Sequence, residues 1–573
     1  MFKLMRHIKP YWWAALLAPS LMVLEVMMDL QMPTMMSKIV DVGIANGDTA
    51  YIMQTGLRML LYALVGIVGG FGSGVFGTIA SAGFATDLRR ELFHHVQTFT
   101  FKNLDTFKTG SLITRLTNDV TQMQNMVASA LRILVRAPLL CIGGIVMAIR
   151  LNRDLAVIFI AAVPILVIAI SLILRRGFPL FRRVQGAMDR VNTVMQENLT
   201  GVRVVKAFVR GDFEKNRFDD ANVELREINQ AAARNMAMLF PILNITMNVS
   251  VIAVLWMGGG RVEAGGMLVG ELMAFINYLT QILFSLMMSA FVLMGVSRAK
   301  ASADRINAVL QEMPEITDPA NPISAEGIRG AVTFENVTAK YAGAAGDPVL
   351  QNVSFHVEPG KTLAILGATG AGKTTLVSLI PRLYDPIGGS VKLDGVDVRE
   401  YALDDLRSAV SVVLQQSVLF SGSVEENLRW GDEKADIGRI AEAARAAQAY
   451  EFVDAMPDHF GAHIERAGAN LSGGQKQRLS IARSLLRRPK VLILDDATSA
   501  VDMNTEAMIQ EALRKQRCTV LLIAQRISSV MDADAILVLE GGKVSGIGTH
   551  EELLANNELY REICASQLGK EAV

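Results

Sequence analysis

Nine consecutive residues, Gly367-Ala-Thr-Gly-Ala-Gly-Lys373-Thr374-Thr375, have the types and spacing of a loop that wraps a polyphosphate. Gly367, Gly370 and Gly372, with the small Ala371, let backbone N–H groups close around phosphate oxygens, and Thr369 and Thr375 complete the cradle. Lys373 is placed to reach the β- and γ-phosphates, and the Thr374 hydroxyl to hold Mg2+. A second strand, Lys490–Leu494, runs into Asp495 and Asp496. An acid at such a strand end is the expected second metal-side ligand, so Asp495 is read as ordering Mg2+ through water; a helix N-cap role is compatible with the same place. The chemistry these residues spell is the binding of a nucleoside triphosphate with Mg2+ and its hydrolysis.

Such a loop needs a strand before it and a helix after it. The apolar run Thr362–Leu366 and the apolar-periodic Leu376–Leu383 supply both. Ala331–Phe334 and Val349–Val357 read as further strands, so residues 331–573 form an α/β domain. Glu312–Gly330, with Pro314, Pro319 and Pro322, reads as a linker (residues 312–330), and residues 1–311 as a different kind of domain. The length, 573 residues, itself calls for more than one domain. Lys+Arg and Asp+Glu both number 56, so no basic excess points to nucleic acid. Cys141, Cys518 and Cys564 lie far apart and imply neither a disulfide framework nor a metal site.

The first domain is apolar on the scale of a membrane, where a span takes about 20 residues. Uncharged runs cover Leu155–Leu174, Asn235–Gly260, Leu272–Ser297 and the glycine-rich Met59–Thr86. Residues 11–37, interrupted by Glu25 and Asp29, and 128–149, which begin with Arg132 and Arg136, bring the expected spans to six. The basic N-terminus (Lys3, Arg6, Lys9) carries no cleavable signal, so the first helix is expected to stay. Long polar connections at 87–127 and 175–234 fall on the cytoplasmic side by the positive-inside rule and read as helical extensions toward a soluble domain. Glu25 and Asp29 share a helix face, as do Arg132 and Arg136. Either the acids pair structurally while the arginines reach the interface, or the acids line a cavity that favours cations. The methionines of the first span, among them Met22, Met27 and Met36, fit an adaptable binding surface or plain packing equally well. Pro33 and Pro164 are candidate kinks.

At Leu471-Ser-Gly-Gly-Gln475 the sequence resembles an ABC transporter ATPase, and the rest of that pattern follows in order. Tyr341 matches the aromatic that stacks on adenine, Gln415 the loop glutamine that senses Mg2+ and contacts the membrane domain, and Ser499-Ala-Val-Asp502 the D-loop. Thr109–Asp119 and Gln196–Lys206, continuing to Phe208 and Glu214, are similar to the segments that flank the coupling helices of ABC exporters. The resemblance spans the chain. It implies an all-α domain of six membrane helices with the type IV exporter fold, then a P-loop ATPase, in the plasma membrane with the ATPase in the cytoplasm. In the family, Ser472, Gly473, Gly474 and Gln475 face the γ-phosphate held by a second ATPase domain, so a partner chain is implied. Ser472 can also cap the helix that follows.

Two departures bear on catalysis. After the magnesium aspartate the family usually carries Glu as the base that activates water; here it is Asp496, one methylene shorter. Farther on it usually carries a His that contacts the γ-phosphate; Ile523-Ala-Gln525-Arg526 has Gln, which cannot be cationic. Together they imply a weakly hydrolytic site in one half of a heterodimeric exporter of small, largely apolar, drug-like or lipid-like molecules. A homodimeric lipid flippase and an ATP-gated channel or regulatory subunit are the alternatives. Ile464-Glu-Arg-Ala-Gly468 also departs from the usual Glu-Arg-Gly before the signature. Thr549-His-Glu-Glu552 is a capping-box pattern, which leaves His550 a structural role, and His94 and His95 are expected on a cytoplasmic helix surface.

Overall fold

The computed structural model describes residues 2–341 and 346–568. By its internal contacts the chain divides into two units. One runs to Gln97 and resumes from Thr109 to Glu312; the other takes Thr98–Lys108 and everything described from Met313 on.

Six helices of the first unit are long and apolar enough to cross a membrane. The principal helices are α1 (Trp12–Lys38), α2 (Thr49–Gln97), α3 (Val120–Leu151), α4 (Val157–Thr200), α5 (Leu239–Glu263) and α6 (Val269–Gln311). The 44 residues of α4 extend about 66 Å at 1.5 Å per residue, roughly twice a bilayer core. The cytoplasmic extensions expected from the long connections are therefore continuations of the spans themselves. Pro33 lies inside α1 and Pro164 inside α4, each within a helix that continues on both sides. Met22 is buried while Met27 and Met36 are exposed, and the latter two, nine residues apart, point to opposite sides of α1. The first-span methionines thus do not make one face. His95 is half-buried rather than a surface group, with Nε2 2.9 Å from the Glu312 carbonyl.

The second unit is built on a six-stranded sheet. Its order is Lys543–Gly548, Ala535–Glu540, Thr362–Gly367, Thr519–Ile523, Val491–Asp495 and Val410–Val413. The first pair is antiparallel and the others parallel. Val491–Asp495 and Thr519–Ile523 are buried at all positions, which explains why both read as unbroken rather than alternating runs: the sheet is covered on both faces. A separate antiparallel sheet joins Leu350–Val357, Val332–Ala339, Gly388–Leu393 and Val396–Asp397. Gly367, Asp495 and Ile523 end adjacent parallel strands, and the carboxyl ends of such strands are where open α/β sheets place ligands.

Candidate nucleotide site

The phosphate loop leaves the sheet at Gly367, where an added Cβ would collide with the Leu539 carbonyl of the neighbouring strand. It enters the helix Lys373–Ser378 at Gly372, whose φ of 98° favours glycine. Lys373 Nζ donates to the carbonyls of Gly367 (2.7 Å) and Ala368 (2.9 Å), which fixes the ammonium over the loop. Burial pulls its pKa below the ordinary lysine value against the opposing pull of Asp495 and Asp496. Thr374 Oγ1 donates to Asp495 Oδ1 at 3.1 Å, and the Tyr341 and Thr375 hydroxyls lie 2.8 Å apart.

A cavity of 380 Å³ gathers Tyr341, Thr369, Gly370, Gly372, Lys373, Thr374, Thr375, Gln415, Asp495, Asp496 and Gln525. These residues come from five separate stretches of sequence between residues 341 and 525, and the fold brings them to one space. Ala371 is buried behind the loop. Asp496 has φ of 51°, and its Oδ2 accepts from two amides, Gln525 Nε2 at 2.8 Å and Gln415 Nε2 at 3.3 Å. Burial raises the pKa of both Asp495 and Asp496, while those hydrogen bonds pull Asp496 the other way.

The signature residues lie apart from this cavity. Ser472 caps the helix Gly473–Leu486 in a reciprocal box: its Oγ accepts from Gln475 N–H at 3.3 Å, and its own N–H donates to Gln475 Oε1 at 2.9 Å. A Cβ on Gly474 would lie 2.8 Å from the Ala500 carbonyl, so glycine permits this helix to approach the D-loop. Asp502 is also a cap, accepting from Thr505 N–H at 3.0 Å. Gln477, which sequence reasoning missed, joins the two segments by donating to Ser499 Oγ (3.1 Å) and accepting from Ala500 N–H (2.9 Å).

The comparisons with known proteins agree with this architecture. The family described as "ABC transporter transmembrane region" matches residues 16–287, and that described as "ABC transporter" matches residues 350–499. An ABC transporter ATP-binding protein of Bacillus subtilis, YfiB, is 40% identical over 100% of this chain and 99% of its own length. The chain belongs to the ABC exporter family.

An ATP-dependent lipid A-core flippase of Chromohalobacter salexigens is 33% identical to this half-exporter, covering 97% of it and 96% of the flippase. A Bacillus subtilis protein named for multidrug export, YgaD, is 32% identical over 99% of each chain. A bacterial Atm1-family ABC exporter with ATP bound shares the fold, with a TM-score of 0.81 over 98% of this chain and 99% of that one at 24% identity. The half-exporter is thus a multi-pass membrane protein with a cytoplasmic, ATP-binding ATPase domain, from a family of ATP-hydrolysing exporters that work as dimers.

Within the ATPase unit lies a short helix from the exporter's first long connection, Phe101–Thr106. Tyr384 meets it: its hydroxyl donates to Asp105 Oδ2 at 3.0 Å and its ring lies 6.2 Å from that of Phe101. Lys102 pairs with Glu315 beside it. The other side of Tyr384 packs edge-on against Tyr341, with centroids 5.1 Å apart. Burial, then Asp105, drives the Tyr384 pKa well above the usual tyrosine value, so it remains a neutral donor. Nothing in the local sequence around Tyr384 announced this contact. Ala467, where the family usually has Gly, carries a φ of 56°, the backbone region that glycine occupies without strain.

In the membrane unit, Arg136 on α3 binds both acids of α1: Glu25 at 2.8 Å and Asp29 at 3.1 Å. A Cβ at Gly70 of α2 would lie 2.8 Å from Glu25 Oε2, so glycine makes room for the acid there. Arg132 has no ion pair among the described residues and lays its stem over Gly77 of α2. The acids are therefore paired, but by Arg136, one of the two arginines expected to reach the interface instead, and this single guanidinium serves both carboxylates.

Proposed function

We propose that this half-exporter assembles with a second, different half-exporter and contributes an ATP site that binds nucleotide and hydrolyses it slowly. The observation that carries this reading is the state of Asp496. Its carboxylate is shorter than the usual glutamate, and one of its oxygens is engaged by both Gln415 and Gln525. A base tied to two donors has less freedom to take a proton from water, and a misplacement of ~1 Å alone can cost about 100-fold. Gln525 adds a hydrogen bond but no charge for the γ-phosphate.

Binding is better equipped than turnover. Tyr341 would stack on adenine, the loop from Gly367 to Thr375 would hold the phosphates, and Lys373 would neutralise them. Thr374, Asp495 and Gln415 offer hydroxyl, carboxylate and amide oxygens, the hard donors that suit Mg2+; Thr374 and Asp495 already stand 3.1 Å apart. When bound, that ion neutralises charge on the β- and γ-phosphates. The signature Ser472–Gln475 would complete the partner's ATP site, where most hydrolysis takes place. Nucleotide closes the two ATPase domains on each other, and the long helices carry that closure to the membrane, where small, largely apolar molecules are exported.

A homodimeric lipid flippase is the second reading, favoured by the full-length similarity to the lipid A-core flippase. ATPase activity in lipid separates the two. The chain alone should be nearly inactive and should become active with its partner; strong turnover by the single chain would establish the homodimer instead.

A further inference from the structure

We propose that Gln567, on the last described helix, is a positioning residue for the loop that carries Gln525, and so helps set how Asp496 is held. This rests on the reading of Asp496 and Gln525 as the slow end of the site. The loop leaves strand Thr519–Ile523 and spans Ala524 to Ile527. Gln567 brackets it with one side chain. Its Nε2 donates to the Gln525 carbonyl at 2.8 Å, and its Oε1 accepts from the Ile527 N–H at 2.8 Å. The Gln525 side chain reaches forward from that same backbone to Asp496 at 2.8 Å. An unbroken path therefore runs from the C-terminal helix to the carboxylate.

The helix bearing Gln567, Glu558–Leu568, is itself anchored. Tyr560 and Cys564 are fully buried, and the Tyr560 hydroxyl lies 2.6 Å from His550 Nδ1. Residues 560, 564 and 567 follow helical spacing, so Gln567 continues the anchored stripe toward the loop. Ala524 and Ile527 of the loop are buried. A 300 Å³ cavity lies between it and the D-loop, bordered by Asp496, Ser499, Arg526 and Gln567. Across that space Arg526 reaches the buried Glu506 at 3.6 Å. The two hydrogen bonds of Gln567 hold the loop backbone where it borders that space. Its exposure makes the tie reachable from outside the site.

The test uses the full-length exporter with its partner in lipid. Q567A removes both bonds; Q567E keeps an acceptor for Ile527 but presents a second acceptor to the Gln525 carbonyl. Hydrogen exchange is read on the peptide containing Ile527. Q567A should raise exchange there about five-fold, the equivalent of one ordinary hydrogen bond, and leave the Lys373–Ser378 peptide unchanged. In a D496E/Q525H background with the partner's site inactivated, where turnover at this site is expected to rise, Q567A should lower kcat about five-fold with the KM for ATP unchanged, and Q567E should fall between. Unchanged exchange at Ile527 overturns the proposal, as does an unchanged kcat in that background or a parallel loss of kcat, KM and thermal stability. If D496E/Q525H fails to raise turnover, the slow-site reading falls, and the exchange measurement alone then decides the role of Gln567.

Discussion

The phosphate loop and the Asp496 end of the same cavity differ in kind. The loop is local and uncompromised: Gly372 takes the positive φ its turn requires, Lys373 is locked over the loop by two carbonyls, and Thr374 meets Asp495. The opposite end draws on three separated segments, and each of its two deciding residues differs from the family's usual choice. Gln415 and Gln525 both lean on Asp496. Holding a nucleotide and turning it over are separable demands, and on the proposed reading it is the second that the changes at Asp496 and Gln525 affect.

Restoring the usual residues should break that contrast most sharply. D496E with Q525H is expected to raise hydrolysis at this chain's site by about 100-fold, read as single-turnover release of phosphate with the partner's site inactivated. Either change alone should give less, because D496E leaves the Gln525 amide donating to the carboxylate and Q525H leaves the shorter side chain at 496. On the loop side, K373A should weaken ATP binding about 30-fold, the cost of a lost charge-assisted contact with phosphate, seen in equilibrium binding of a fluorescent ATP analogue. Binding that survived K373A would erase the distinction between the two ends. S472A removes a helix cap and should lower hydrolysis at the partner's site about five-fold while leaving ATP binding to this chain's own loop intact. Y384F should have the smallest effect, an approximately three-fold fall in substrate moved per ATP hydrolysed, since it deletes a single hydrogen bond to Asp105 and keeps both ring contacts.

What the sequence revealed follows the distance over which each feature is built. The phosphate loop, the Ser472 cap and the Thr549 capping box are complete within ten residues, and all three take the form their spacing predicts. The strand ending in Asp495 was also visible, because a strand buried on both faces is a contiguous apolar run. The contacts that were not visible join distant residues through tertiary packing. Arg136 selects Glu25 and Asp29 from another helix; Tyr384 finds Asp105 across most of the membrane domain's sequence; Gln567 reaches back to Gln525. An amide or a tyrosine has no spacing rule that names its partner. Gly70 lies where Glu25 comes close and Gly474 where the D-loop does, but a glycine does not name what fits against it.

Helix α2 runs 49 residues with no proline inside it. At 1.5 Å per residue it is a beam about 73 Å long, of which the bilayer supports only part. Treated as a rigid lever turning about its midpoint, a tilt of about 10° would sweep each tip through about 6 Å, close to the rise of one helical turn. The leverage works in both directions. A small displacement at one end of α2 becomes a displacement of similar size and opposite sense at the other.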